Sequence, residues 1–173
     1  MRELTDEDRI QRFMLALGAG VRHSTRIYFT GGVSAVLMGW RSTTIDVDIE
    51  IVPDSEEVLR LLPRLKDDLK MNIELASPAQ FLPPLPGWED RSIFIAQEGL
   101  VHFHHYDFYA QALAKIERGH ARDQDDVQSM LRHRLVEPGR LRELHAAIVS
   151  ALYRYPAVDP ASLERQLEHA LGG

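Results

Sequence analysis

"GGVSAVLMGWRSTTIDVDIEIV", residues 31–52, joins two adjacent glycines to a run in which acids alternate with β-branched residues. Within TIDVDIEIV, Ile45, Val47, Ile49 and Ile51 fall on one side of an extended chain and Asp46, Asp48 and Glu50 on the other. That period of two predicts a strand with one face in a core, ended by Pro53. Upstream, RIYFT (residues 26–30) is a short β-branched and aromatic run stopped by Gly31-Gly32, and VSAVLMGW then reads as a short helix. The local order is strand, glycine turn, helix, strand.

The same patterns extend in both directions. TDEDRIQRFMLALGAG predicts a first helix with Thr5 as N-cap and a glycine stop; its Gly18-Ala19-Gly20 is a helix end and not a dinucleotide motif, because no strand precedes it. SEEVLRLLPRLKDDL predicts an amphipathic helix bent at Pro63, and MNIELA a third strand with Met71, Ile73 and Leu75 opposite Asn72 and Glu74. The proline-rich SPAQFLPPLPGWEDR reads as an ordered loop packed over the domain, able to cover a site. SIFIAQEGLVHFHHY reads as a hairpin turning at Gln97-Glu98-Gly99, and from Asp107 onward the pattern is helical. The expectation is an α+β fold: a small mixed β-sheet flanked by helices, with a helical C-terminal half. One domain over residues 1–173 is expected, with its core at about 26–134 and a helical extension at about 135–173.

Composition bounds the function. Apolar residues make up 45% and charged residues 27%, an ordinary globular balance. The absence of cysteine removes disulfides, thiolate metal sites and thiol nucleophiles together. The opening MRELTDEDRIQRF is charged, and no apolar run approaches the length of a membrane span, so a cytoplasmic location without membrane partners is expected. A net charge of -6 opposes non-specific attraction to polyphosphate. Arginines 118, 122, 132, 134, 140 and 142 could still form a local basic face, diluted by acids.

Two aspartates two apart on a strand project from one face, where their repulsion becomes favourable with hard cations between them. Mg2+ prefers one or two carboxylates plus phosphate oxygens, so Asp46 and Asp48 point to metal-assisted phosphoryl chemistry. The Gly31-Gly32 turn supplies amides that a phosphate can approach closely. Glu74, on the polar face of the third strand, is the candidate third carboxylate, to bind metal or take a proton from an incoming hydroxyl. The bland alternative for the pair is the solvated face of an edge strand. Glu50 is expected to be solvent-exposed, and Ser34 and Ser77 to lie on helix surfaces or caps. His102 and His104 share a strand face without a third ligand, and no zinc is expected. Trp40 and Trp88 read as packing residues, with base stacking an alternative for Trp88.

FTGG followed by thirteen residues and DVDI resembles the signature of the nucleotidyltransferase superfamily that shares the DNA polymerase β catalytic fold. The longer pattern GG…GWRSTTIDVDIE…ALAKIERGHARDQDDV is similar to the bacterial nucleotidyltransferase-like DUF6036 family and to the abortive-infection AbiEii and MenT-type toxins, over roughly residues 26–134. The resemblance implies transfer of a nucleoside monophosphate from NTP, with Mg2+ or Mn2+, to an RNA 3' end such as that of tRNA, or to a protein. It also implies a toxin-antitoxin or phage-defence setting with a cognate partner protein. By the same resemblance Gly31 and Gly32 bind phosphate, Asp46 and Asp48 bind metal, Lys115 contacts the triphosphate, and Asp126 is the acid that follows it. Arg41, in the R-x-x-T-x-D-x-D lead-in, meets the γ-phosphate. Read without the resemblance, Lys115 is an ordinary snorkelling lysine, and Asp123, Asp125 and Asp126 serve a helix dipole. A catalytically inactive nucleotidyltransferase-fold binding or regulatory module is the alternative function.

Overall fold

The computed structural model describes residues 3–172, so both ends of the expected 1–173 domain lie just outside the described chain. By its internal contacts the chain groups into two compact units. The first takes the chain up to Ser77 together with Ser92–Tyr106, and the second takes Pro78–Arg91 with the chain from Asp107 onward.

The first unit is an α+β sandwich of one sheet and its helices. It contains α1 (Glu7–Gly20), β1 (Thr25–Thr30), α2 (Gly32–Met38), β2 (Asp46–Val52), α3 (Glu56–Leu69), β3 (Asn72–Leu75), β4 (Phe94–Glu98) and β5 (Val101–His105). The strands lie in the order β3-β2-β1-β5-β4. β1 and β2 pair antiparallel, as do β4 and β5, whereas β1 pairs parallel with β5 and β2 parallel with β3. Val47, Ile49, Ile27, Phe29, Ile73 and Phe103 point into a core closed by Ile10, Phe13 and Leu17 of α1 and Val58 and Leu62 of α3. Phe29 stacks on Phe103 at 5.7 Å between ring centroids and meets Phe13 at 6.0 Å, geometries that aromatic pairs favour. The opposite sheet face carries the alternate residues, among them Arg26, Tyr28, Asp46, Asp48, Asn72, Glu74, His102 and His104. Tyr28 is nonetheless buried, stacked on His104 at 5.2 Å and edge-on to Tyr106.

The alternation of β2 is as read, except that Ile45 precedes the strand and is exposed. Glu50 is half-buried rather than solvent-exposed, because its partner across the ladder is the buried Tyr28. Asp6, not Thr5, caps α1, accepting from the Arg9 amide at 3.0 Å. Thr5 is engaged elsewhere: it exchanges two backbone hydrogen bonds with Thr44, at 2.7 and 2.9 Å. α3 runs through Pro63, capped by Ser55. The hairpin turns at Gly99-Leu100, with Gln97 and Glu98 still in β4. Gly18 of α1 explains this placement, since it packs flush against the turn. A Cβ on Gly18 would lie 2.5 Å from the Glu98 carbonyl oxygen, and one on Gly99 would lie 2.6 Å from the Gly18 oxygen. Gly18 and Gly99 are therefore required by close backbone approach.

The second unit is helical: α4 (Trp88–Arg91), α5 (Phe108–Arg118), α6 (Ala121–Arg132), α7 (Pro138–Ile148) and α8 (Pro160–Ala170), with 3-10 segments at Pro78–Gln80 and Val149–Arg154. α5 is its hub, touching α4, α6, α7 and α8. The proline-rich segment is not a bare loop, for it folds into the first 3-10 turn and α4 and buries Leu82 and Leu85. Arg91 ties it to α5 by donating to Asp107 Oδ2 from Nη2 (2.6 Å) and Nε (3.2 Å). Asp107 is 1% exposed and also caps α5 through the Tyr109 amide. A carboxylate so placed joins a charge pair to a helix cap. Among the described residues no helix is long and apolar enough to cross a membrane.

Replacing Gly18 by Ala is expected to cost about 1–3 kcal/mol, because the turn must move to admit one methyl group. The midpoint and slope of a urea unfolding curve measure this, and an unchanged midpoint would refute the close-packing account.

Candidate functional site

The site begins where β1 ends. Gly31 has φ 65° and ψ -130°, a conformation closed to L side chains, and it precedes α2. A Cβ on Gly31 would lie 3.3 Å from Asp48 Oδ2. A Cβ on Gly32 would overlap the Thr44 side chain, with Arg41 Nη1 3.5 Å away. Thr30 is the register partner of Asp48, so the antiparallel ladder itself sets the turn beside the carboxylate. Gly31, Gly32, Arg41 and Asp48 are thus brought together around one turn.

β3 adds the second side. Its parallel register sets Asn72 opposite Asp46 and Glu74 opposite Asp48. Asn72 Nδ2 donates to Asp46 Oδ1, and also to Glu74 Oε1 at 2.9 Å. Thr44 Oγ1 donates to the Asp46 carbonyl at 3.1 Å and anchors the start of β2. Asp46 and Asp48 are half-buried and Glu74 is exposed. Three acids and an amide therefore occupy one corner of the sheet's polar face. Among the described residues no three histidine, aspartate or glutamate side chains converge as an all-protein metal cage. Two carboxylates that leave the other positions to phosphate and water fit Mg2+, which seldom uses such a cage.

This corner lies inside the stretch of chain that a family model covers. The model of DUF6036, described as a nucleotidyltransferase of unknown function, matches residues 14–158. The chain belongs to the DUF6036 family. No curated protein and no solved structure matches it.

In this DUF6036 protein, Lys115 and Asp126 lie in the second unit. Lys115 Nζ donates to Asp126 Oδ2 at 2.9 Å and lies 3.6 Å from Asp123 Oδ1, with all three side chains buried. Arg118 closes the group with two bonds to Asp123, at 2.8 and 2.6 Å. Burial works against ionisation of Asp123, but the Arg118 bonds and the neighbouring positive charges prevail and hold its carboxyl below the usual range. Lys115 is not a snorkelling surface lysine, and Asp123 is not merely a helix-dipole residue. Their signal was present in K-x-x-R and D-x-x-D, each pair three residues apart on a single helix face. Half of the arginine patch is answered by acids: Arg118 by Asp123, Arg140 by Glu143 and Arg142 by Glu168.

Both serines expected on helix surfaces or caps are buried, Ser77 directly ahead of the 3-10 turn at Pro78–Gln80. Ser34 is fully buried in α2, its Oγ 2.9 Å from His105 Nδ1 on β5. This contact links the helix that follows the glycine turn to the sheet. Asn72 and His105 were missed as polar anchors, because each finds its partner through tertiary packing.

Burial, with a smaller contribution from His104, pushes His105 down from 6.5 to about 4. The folded state thus stays neutral where the unfolded chain takes a proton, so this stability is fully present above pH 6.5 and is lost as pH falls toward 4. The full difference is about 3 kcal/mol. His105→Asn, which keeps a polar atom near Nδ1, is expected to flatten this part of the pH dependence of urea stability; an unaltered slope would refute the assignment. In the second unit, Lys115→Met leaves two buried carboxylates with one fewer cation and is expected to cost about 3 kcal/mol or more in the same assay.

Proposed function

We propose that the chain transfers a nucleoside monophosphate from a nucleoside triphosphate to an acceptor hydroxyl. The observation that carries this reading is the packing of the Gly31-Gly32 turn against Asp48, with Asp46 and Glu74 at the same corner. Mg2+ or Mn2+ held by Asp46 and Asp48 would neutralise charge on the phosphates. The turn's amides, unshielded by any Cβ, and the adjacent Arg41 guanidinium bind phosphate oxygens. The acceptor oxygen bonds to the α-phosphorus as the bond to the bridging oxygen breaks. Pyrophosphate leaves with that electron pair, and the acceptor proton passes to Glu74, the exposed acid opposite Asp48.

Nucleotidyl transfer is the reaction class in the family's description, whereas the metal, the residue roles and the acceptor are inferred from the donor set and the geometry. The pairing of Arg118, Arg140 and Arg142 with acids favours a protein hydroxyl or an RNA end gripped over few phosphates, rather than a long RNA track. Lys115, as the triphosphate contact implied by the sequence resemblance, would have to bind phosphate while its charge is shared with Asp123 and Asp126. Nucleotide binding without transfer is the second reading. It is favoured by Asn72, whose amide engages the Glu74 carboxylate that a hydroxyl would need.

The test is incorporation of label from each α-labelled NTP, with Mg2+ or Mn2+, into total RNA and cell protein, beside thermal-shift titrations with the same nucleotides. Transfer predicts label in one fraction, abolished in Asp46→Ala/Asp48→Ala. Metal-dependent stabilisation by NTP without label would select the binding module. Neither label nor stabilisation would refute both.

A further inference from the structure

A groove of about 470 Å³ opens in the first unit, away from the Asp46–Asp48 corner, between α1, the end of α2 and β4. Glu7, Gln11 and Leu15 stand on successive turns of α1 along one wall, Leu37 and Met38 lie at the end of α2, and residues 93–96 form the other wall. Met14 and His105, both buried, lie beneath it. Large apolar side chains are exposed along it: Leu15 at 56%, Ile93 at 43% and Phe94 at 55%.

Beside this groove the sheet ends. β4 is the terminal strand in the order β3-β2-β1-β5-β4. Phe94 pairs with His104, and the His105 amide donates to the Ile93 carbonyl at 2.8 Å. In an antiparallel ladder this makes Phe94–His104 the pair without mutual hydrogen bonds, so the Phe94 N–H and C=O point away from β5 toward the open edge. Edge strands are ordinarily blunted by lysine, proline, a bulge or a covering element. Here a register shift between Phe94 and Ala96 bends the strand, but Ile93, Phe94, Ile95 and Ala96 run in sequence with neither lysine nor proline among them.

We propose that this edge and groove receive an extended segment of another protein, added as a sixth strand beside β4, in which apolar residues alternate with lysine or arginine. The strand edge selects an extended backbone, because its outward N–H and C=O groups need partners that a compact apolar molecule cannot supply. The exposed leucine, isoleucine and phenylalanine select apolar side chains on alternate positions. Charge selects the rest: Glu7 and Glu98 line the groove, and among the described residues no lysine or arginine lines it. A second copy of this chain would bring the same acids together on a protein of net charge -6, so a basic partner is the complementary occupant.

The test is selection of displayed random extended peptides against the immobilised full chain, followed by anisotropy titration of the enriched sequences. The expected result is enrichment of apolar residues alternating with Lys or Arg. Phe94→Pro removes the outward N–H without breaking a bond to β5, and Glu7→Lys/Glu98→Lys reverses the rim charge; each should weaken the enriched peptides by about tenfold or more. Leu15→Glu, at an exposed position, serves as an independent variant should Phe94→Pro disturb folding. Absence of enrichment, enriched peptides lacking the alternation or the basic residues, or affinities unmoved by the groove variants would overturn the proposal. Concentration-dependent dimers lost in Leu15→Glu would overturn it in favour of a second copy.

Discussion

The register of β2 between β1 and β3 is the constraint on which the candidate site depends. Val47 and Ile49 have no exposed surface, and Ile73 across from Val47 and Phe29 across from Ile49 are also buried. Because side chains alternate with a period of two, a slip by one residue would drive Asp46, Asp48 and Glu50 into that core. Burying unpaired carboxylates is far costlier than losing a ladder bond, so the apolar face enforces the register. The same register sets Asp48 against Thr30 and the glycine turn on one side and against Glu74 on the other. Core packing thus organises the polar corner.

The glycine turn brings backbone up beside this alignment. Gly31 adopts a backbone conformation that other residues resist, and Gly32 lies where a side chain would meet Thr44. Asp48 and Thr44 therefore crowd the turn so closely that only glycine fits at both positions. α2 is held in turn by the Ser34–His105 contact, so a buried neutral histidine on β5 steadies the helix that begins at the turn. The helical unit uses charge differently. Lys115, Asp123, Asp126 and Arg118 satisfy one another across α5 and α6, and Arg91 with Asp107 fastens the proline-rich segment. Such groups specify an arrangement more than they stabilise it, since removing any one member leaves a buried charge exposed to its own desolvation.

The strands, the order of helices, the glycine turn and the aspartate pair were all legible before folding, because each is a local pattern whose period or stop signal lies within a few residues. Thr5 was misread as a cap since its pairing with Thr44 is invisible locally, and Asp6, one position on, takes the role. The hairpin turn was placed slightly early because only the contact of Gly18 with Gly99 marks where the chain must reverse. The proline-rich stretch looked too stiff for regular structure, yet buried leucines and the Arg91–Asp107 pair organise it.

By itself, then, the sequence determined which residues are alternately apolar and acidic, where the backbone needs glycine, and hence that one sheet face would carry Asp46 and Asp48 together. Strand pairing decided what stands beside them. Glu74 and Asn72 reach the pair only through the parallel register of β3, and Ser34 meets His105 across 71 residues of chain. The reason is physical: alternation and turn chemistry act over a few bonds, whereas a carboxylate's neighbours across a sheet are fixed by which apolar surfaces close on each other.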